Sequence, residues 1–394
     1  MTKFALAAAT AMVPALAAAQ VDQGPANADF EAAFENQTRA PALDDTAVTT
    51  ETFVDGLDHP WGIALLPGGD YLVTERPGQL RMVMADGTLS EPITGVPDVD
   101  NREQGGLLDV AVRDDFAETR RVWLTYAKSV EGGTATAAAT GTLSEDGTEL
   151  TDVQDIFVQS PPADAPMHYG SRIVFEPDSD NAFITTGEHF TQVNRELAQD
   201  LGTTYGKVIR VDAVDGTAPE GNPFVGEEGV DTIWSYGHRN IQGAAVGPEG
   251  RLWTIEHGPA GGDELNLTEA GENYGWPVVS YGVTYSGNPV GSGDARQEGF
   301  AEPVYYWDPV IAPGGMIFYD GDAFDGWGGD ILASGLVSQS VVRLELEDGR
   351  VTGEERIDVG ARVRDVEQAP DGTLIVVTDE AAPNGALVRI SPAG

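Results

Sequence analysis

The chain contains no cysteine, so neither a disulfide framework nor a thiolate metal site is open to it. Lysine is almost absent, occurring only as Lys3, Lys128 and Lys207, and the formal net charge is −42. A surface this acidic repels nucleic acid and anionic lipid and favours cationic partners. The acids are spread along the whole chain rather than gathered in a patch, so adaptation to salty surroundings is the simpler account of them. Helical patterns of useful length are nearly missing. After the first residues, no apolar run approaches the length a bilayer demands.

What is present begins with MTKFALAAATAMVPALAAAQ, which runs from Lys3 through an apolar segment to Ala17, Ala18 and Ala19. That order reads as a secretory signal over residues 1–19, cut before Gln20. Its apolar run is too short to span a membrane, and a buried N-terminal helix is the less favoured alternative. The expectation is a soluble exported protein, periplasmic in a Gram-negative source. Residues 20–50 are rich in Ala, Asp, Asn and Thr without periodicity and are expected to form an extended arm. Residues 51–394 remain as the folded domain.

Within that domain one unit recurs: a short apolar strand, a turn built on Pro, Asp or Gly, and a second apolar strand. Its copies are WGIALLPGGDYLVTER (61–76), LLDVAVRDDFAETRRVWLTYA (107–127), SRIVFEPDSDNAFITTGEH (171–189), GAAVGPEGRLWTIEHG (243–258), GMIFYDGDAFDGWGGDILASG (315–335) and VRDVEQAPDGTLIVVTDE (363–380). Each can supply the inner strands of a four-stranded antiparallel sheet. Six of them predict an all-β fold, a six-bladed β-propeller, whereas a β-sandwich needs fewer strands and a shorter chain.

If each first strand lines the central channel, the residues just before it meet at one mouth. Those positions hold Gln104, His168, Arg239 with Asn240, Pro313, and Arg362 with Arg364. Three guanidiniums aimed at one opening repel each other and match a guest carrying several carboxylates. The local alternative is that each pairs with a nearby acid, such as Asp365 beside Arg364. His168 is the one member of the ring that takes up a proton near neutral pH, which makes it the candidate base, although a satisfied structural histidine reads the same way. The segment EHGPAGGDELN (256–266) adds glycine-exposed carbonyls and the acids Asp263 and Glu264. Hard oxygen donors of this kind suit calcium better than zinc, though most such loops bind nothing.

Taken in order, HPWGIALLPGG, EQGGLLDV, HYGSRIVF, GHRNIQG, EHGPAGGDELN and RVRDV resemble the glucose/sorbosone dehydrogenase family, in particular its soluble periplasmic aldose sugar dehydrogenases that use pyrroloquinoline quinone (PQQ). The likeness runs from about residue 50 to the end. It implies a six-bladed propeller and oxidation of an aldose sugar to a lactone. His168 would be the general base, and Gln104, Arg239, Asn240, Arg362 and Arg364 would hold the quinone. It further implies a calcium ion on the main-chain carbonyls of Gly258 and Pro259, and a second calcium at Glu264 and the backbone of Tyr274. Electrons would pass to an external acceptor, and so negative a surface would steer in a basic cytochrome. Two positions depart from the pattern. Val337 stands where relatives place a cofactor-touching lysine, and Met167 precedes the base where glucose-oxidising relatives have an acid. Two other readings stay in view: a non-catalytic calcium-binding propeller, which the departure at Val337 favours, and, behind it, a calcium-dependent lactonase, which would account for Glu264 and His168 but not for three arginines.

Overall fold

The structure is a computed structural model in which residues 19–394 are described, so the expected signal segment lies outside them except for Ala19. The chain forms six small antiparallel sheets arranged as propeller blades. Strand β1 (Val48–Leu57) comes first but belongs to the last blade. Blade 1 is β2 (Pro60–Leu65), β3 (Tyr71–Glu75) and β4 (Gln79–Val83), and blade 2 is β5 (Leu107–Ala111), β6 (Arg121–Val130), β7 (Gly133–Leu143) and β8 (Leu150–Val158). Blade 3 is β9 (Gly170–Phe175), β10 (Asn181–Thr186), β11 (Lys207–Asp212) and β12 (Ile233–Tyr236). Blade 4 is β13 (Ile241–Val246), β14 (Leu252–Glu256), β15 (Asp263–Leu267) and β16 (Tyr305–Trp307). Blade 5 is β17 (Pro313–Phe318), β18 (Ile331–Gly335), β19 (Ser340–Glu347) and β20 (Arg350–Asp358). Blade 6 is β21 (Val363–Gln368), β22 (Leu374–Thr378) and β23 (Gly385–Pro392), completed by β1, whose Thr50 lies opposite Ile390. Joining the two ends of the chain in one sheet closes the ring. Each of the six repeated units supplies the two inner strands of its blade, as expected.

Blade 1 departs from four strands. Its outer position is reduced to two isolated bridges, Leu80 to Ile93 and Val83 to Leu89. The segment there, EPITGVPDV, carries Pro92 and Pro97, which lack the N–H that a ladder needs.

The core is divided among the six interfaces between neighbouring blades, and alternate residues of one strand serve opposite neighbours. In β22, Leu374 and Val376 pack toward blade 5 while Ile375 and Val377 pack toward blade 1. In β18, Ile331 and Ala333 face blade 4 and Leu332 faces blade 6. Strands buried on both faces therefore read as unbroken apolar runs such as LIVV. Each fully buried side chain of this kind is worth about 1.5–3 kcal/mol. The expected arm lies along blades 4 and 5. Gln23 Nε2 donates to Tyr305 Oη (3.1 Å) and Glu354 Oε2 (3.0 Å), and Asn27 Nδ2 donates to Asp308 Oδ1 (2.7 Å). Its last three residues, 48–50, already belong to β1.

One irregularity repeats around the ring. The pairing of first and second strands slips at the same end in every blade: between Pro60 and Ile63, Leu107 and Val110, Gly170 and Ile173, Ile241 and Gly243, Pro313 and Met316, and Val363 and Asp365. Such bulges re-aim side chains at a sheet end. Here they lie in every first strand at the end that borders the channel mouth.

Candidate active site

The mouth holds a polar cavity of about 240 Å³ lined by side chains from all six blades. Gln104, His168, Asn240, Arg362 and Arg364 line it together, so five of the six residues expected to form the base and the cofactor contacts meet in one place. Arg239, the sixth, sits directly behind: its Nη2 donates to Oη of the lining residue Tyr285 (3.2 Å) and its Nη1 to the His257 carbonyl (3.0 Å). A larger cavity of about 400 Å³ opens at the other end of the channel. Its lining is mainly aliphatic, with Arg172, Asp109, Asp365 and Glu367 as its charged groups; Arg172 Nη1 is bound by Asp109 (2.7 Å) and Asp365 (2.8 Å), so acids are in excess there. The smaller cavity holds His168 and the larger share of the arginines, Arg76, Arg362 and Arg364.

His168 is buried and held in the left-handed region at φ +48°. Its N–H donates to Gln104 Oε1 (2.9 Å), and Nδ1 lies 3.2 Å from Glu188 Oε1. The second oxygen of Glu188 accepts from the Phe190 N–H, and Phe190 meets the imidazole edge-on at 5.1 Å. With Nδ1–H donating to Glu188 Oε1, Nε2 is left as the lone-pair nitrogen. Burial lowers the proton affinity of His168, the Arg239 charge lowers it further, and Glu188 opposes both; the net pKa lies below the ordinary 6.5. Burial alone would raise the Glu188 carboxyl, but its bond to His168 and the Arg239 charge hold it below its usual value. The ring is neutral and the carboxylate charged at neutral pH. The close approach that brings them together needs glycine: a Cβ on Gly187 would lie 2.0 Å from the His168 carbonyl oxygen.

The arginines differ in what they find. Arg364 Nη2 binds Asp379 Oδ2 (2.6 Å) and its Nη1 donates to Gln242 Oε1 (3.1 Å). The acid expected as its local partner, Asp365, points the other way along the strand and clamps Arg172 instead. Arg239 and Arg362 have no carboxylate partner among the described residues; Arg362 reaches only the Leu336 carbonyl, at 3.4 Å. Nε atoms of Arg76, Arg239 and Arg364 are buried without a hydrogen-bond partner. Orphaned guanidinium nitrogens in and behind one cavity fit a ligand that brings its own carboxylates. Asn240 is partly committed, since its Oδ1 accepts from the Gly170 N–H (3.0 Å). Val337 is exposed on the rim and does not line the cavity.

Gly258, Pro259, Glu264 and Tyr274 surround a second, very small cavity that Arg239 also lines. Asp263, expected to offer charged oxygens there, is used by the turn: its two oxygens accept from the N–H groups of Gly258 (2.8 Å) and Ala312 (2.7 Å). Glu264 has no ion-pair partner among the described residues, and burial followed by the nearby Glu256 pushes its carboxyl well above the usual range. Carbonyl oxygens of Gly261 and Gly262 crowd the point where a Cβ on Gly258 would stand, at 2.3 and 2.2 Å. Among the described residues no three His, Asp or Glu side chains gather as a metal site. A hard cation at this place would rest on main-chain carbonyls and one carboxylate, a donor set that fits calcium.

Sequence reasoning missed Arg76, Glu188, His257 and Asp379. Each lies one or two residues beyond the end of a second strand, β3, β10, β14 and β22. An antiparallel hairpin returns its second strand to the end where the first began, so these positions meet at the same mouth. The recurring ER, GEH, EHG and TDE at the ends of the repeats were the available signal.

A profile of the family described as glucose/sorbosone dehydrogenase matches residues 57–389. The chain belongs to that family. It is 42% identical over 354 residues to the aldose sugar dehydrogenase YliI of Escherichia coli, covering 88% of this chain and 93% of the relative. The crystal structure of the soluble aldose sugar dehydrogenase from Escherichia coli in its apo-form superposes with a TM-score of 0.83 at 41% identity, covering 88% of this chain and all of that one. The PQQ-bound aldose sugar dehydrogenase of Streptomyces coelicolor superposes with a TM-score of 0.73 at 28% identity, covering 89% and 99% of the two chains.

Proposed function

We propose that this member of the glucose/sorbosone dehydrogenase family oxidises aldose sugars to lactones with PQQ held at the channel mouth and calcium beside it. The observation that carries the reading is the cavity itself: a neutral histidine backed by a carboxylate, among guanidiniums whose nitrogens lack partners. When bound, the quinone would supply the carbonyl carbon that takes up the hydride, with calcium as its Lewis acid.

The residues of this chain do the rest. Arg239, Arg362 and Arg364 bind carboxylates, and the amides of Gln104 and Asn240 add hydrogen bonds and orientation. Nε2 of His168 accepts the proton of the sugar's anomeric hydroxyl as the C–H bond of that carbon gives up its hydride. Glu188 keeps the imidazole in the tautomer that leaves Nε2 free and stabilises the imidazolium as it forms. The main-chain carbonyls of Gly258 and Pro259 are the proposed donors to the calcium beside the quinone, and Glu264 with the Tyr274 backbone the proposed donors to a second calcium. The electrons leave for an external acceptor. We place the protein in the periplasm, on the strength of the N-terminal segment 1–19 and of a relative described as soluble.

The test is reconstitution of the purified protein with calcium and PQQ, followed by dye reduction with a panel of aldoses. Turnover with at least one sugar and its loss in His168→Ala are expected. Absence of both turnover and a bound-quinone spectrum would overturn the reading, and unaided lactone hydrolysis would favour a lactonase.

A further inference from the structure

Arg76 follows β3 in blade 1 and is the one cavity-lining arginine for which no role has been given. Its backbone is fixed by the scaffold: the N–H donates to the His59 carbonyl (3.1 Å) and the carbonyl accepts from the Leu107 N–H (3.1 Å). Its side chain has found nothing. Nε is cut off from solvent and unpartnered, and no carboxylate lies within ion-pair distance of the guanidinium among the described residues. Asp379, the acid whose charge bears on it most, is already occupied on both sides, Oδ2 by Arg364 (2.6 Å) and Oδ1 by His59 Nδ1 (3.0 Å). Burial disfavours the Arg76 cation and the like charge of Arg364 disfavours it again, with only partial relief from Asp379. A half-buried cation beside another cation, with idle donors, is a costly arrangement unless something anionic completes it.

We infer that Arg76 is a further arm of the cofactor clamp, binding a quinone carboxylate from the blade-1 side of the cavity. The inference rests on the functional reading above and adds to it a residue from a blade that otherwise contributes no charge to the site. It would grip one edge of the ligand together with Arg364, whose guanidinium sits over the Trp61 ring at 5.8 Å, while Arg362 lines the same cavity and Arg239 stands behind it.

The competing role is purely structural, as a counter-charge that keeps Asp379 in place. Binding of PQQ to the calcium-loaded protein, followed by quenching of tryptophan fluorescence without any sugar or dye, separates the two. Thermal unfolding of the quinone-free protein is measured alongside. For Arg76→Met we expect the quinone dissociation constant to rise about tenfold to a hundredfold, the loss of one charge-assisted contact. The quinone-free variant should unfold at the same temperature or higher, and Arg76→Lys should recover part of the affinity. The trimethyl ester of the quinone should bind wild type and Arg76→Met alike. Unchanged affinity in Arg76→Met overturns the inference alone. So does a loss of affinity matched by a loss of stability in the quinone-free variant. Failure of the wild type to bind quinone overturns the functional reading and this inference with it.

Discussion

Replacing Glu188 by Gln tests the chemistry at His168 more sharply than removing the histidine. The shape is kept and one charge is lost. With Nδ1 and Oε1 3.2 Å apart, the charge centres of an imidazolium and this carboxylate lie about 4 Å apart, worth about 4 kcal/mol at an effective dielectric constant near 20. Only the part developed in the transition state appears in the rate. Since a positioned base contributes about 10²–10⁴-fold, we expect kcat to fall about a hundredfold. The sign on the pH axis follows from the base having to be neutral. Activity rises with pH through the His168 pKa, which lies below 6.5 in the wild type, so the acid limb should lie below that value. Glu188 raises this pKa, so Glu188→Gln should move the limb to still lower pH while lowering the plateau. The amide can accept from only one of the two donors that the carboxylate serves, His168 Nδ1 and the Phe190 N–H, which costs about 1 kcal/mol in stability. Stopped-flow reduction of the reconstituted quinone by an aldose, from pH 4 to 8, is the assay. An unmoved acid limb, or a plateau within about threefold of wild type, would refute the reasoning.

Other consequences can be checked independently. Lys207 is fully buried and its Nζ donates to the carbonyls of Leu197 (3.0 Å), Ala198 (2.9 Å) and Tyr205 (2.6 Å), so Lys207→Met should cost about 3–5 kcal/mol in urea unfolding. A loss under about 1 kcal/mol would mean that water satisfies those carbonyls instead. Chelation of calcium should lower the unfolding temperature of the wild type, and Glu264→Gln should shrink that difference; equal responses would remove Glu264 from the proposed donors. Reduction of a basic cytochrome should slow as ionic strength rises, while reduction of a neutral dye should not, because the net charge of −42 steers only the cation. Matching salt profiles for the two acceptors would discard electrostatic steering.

The fold was legible because each blade repeats one hairpin and because double burial turns its strands into apolar runs such as LIVV in β22. Half of the mouth was legible for the same reason, since a residue's place before β9 or β21 puts His168 or Arg364 at the channel whatever its neighbours are. The other half depends on pairings between blades, which spacing alone does not encode. Nothing adjacent to Arg364 indicates that its acid is Asp379, at the end of the next strand, or that Asp365 reaches across the channel to Arg172 in blade 3. Asp263 shows the same limit in a loop: a carboxylate that looks like a ligand is consumed by two backbone N–H groups that become neighbours only after the turn has folded. A hairpin nevertheless delivers two positions to each mouth, one before its first strand and one after its second. Reading both places Arg76, Glu188, His257 and Asp379 beside the residues already found, and then charge balance can be asked of the whole ring. Asked that way, Asp379 is taken twice, Glu188 is taken by His168, and Arg76, Arg239 and Arg362 are left without an acid. Those unmatched cations make a multiply anionic ligand the natural completion of this site.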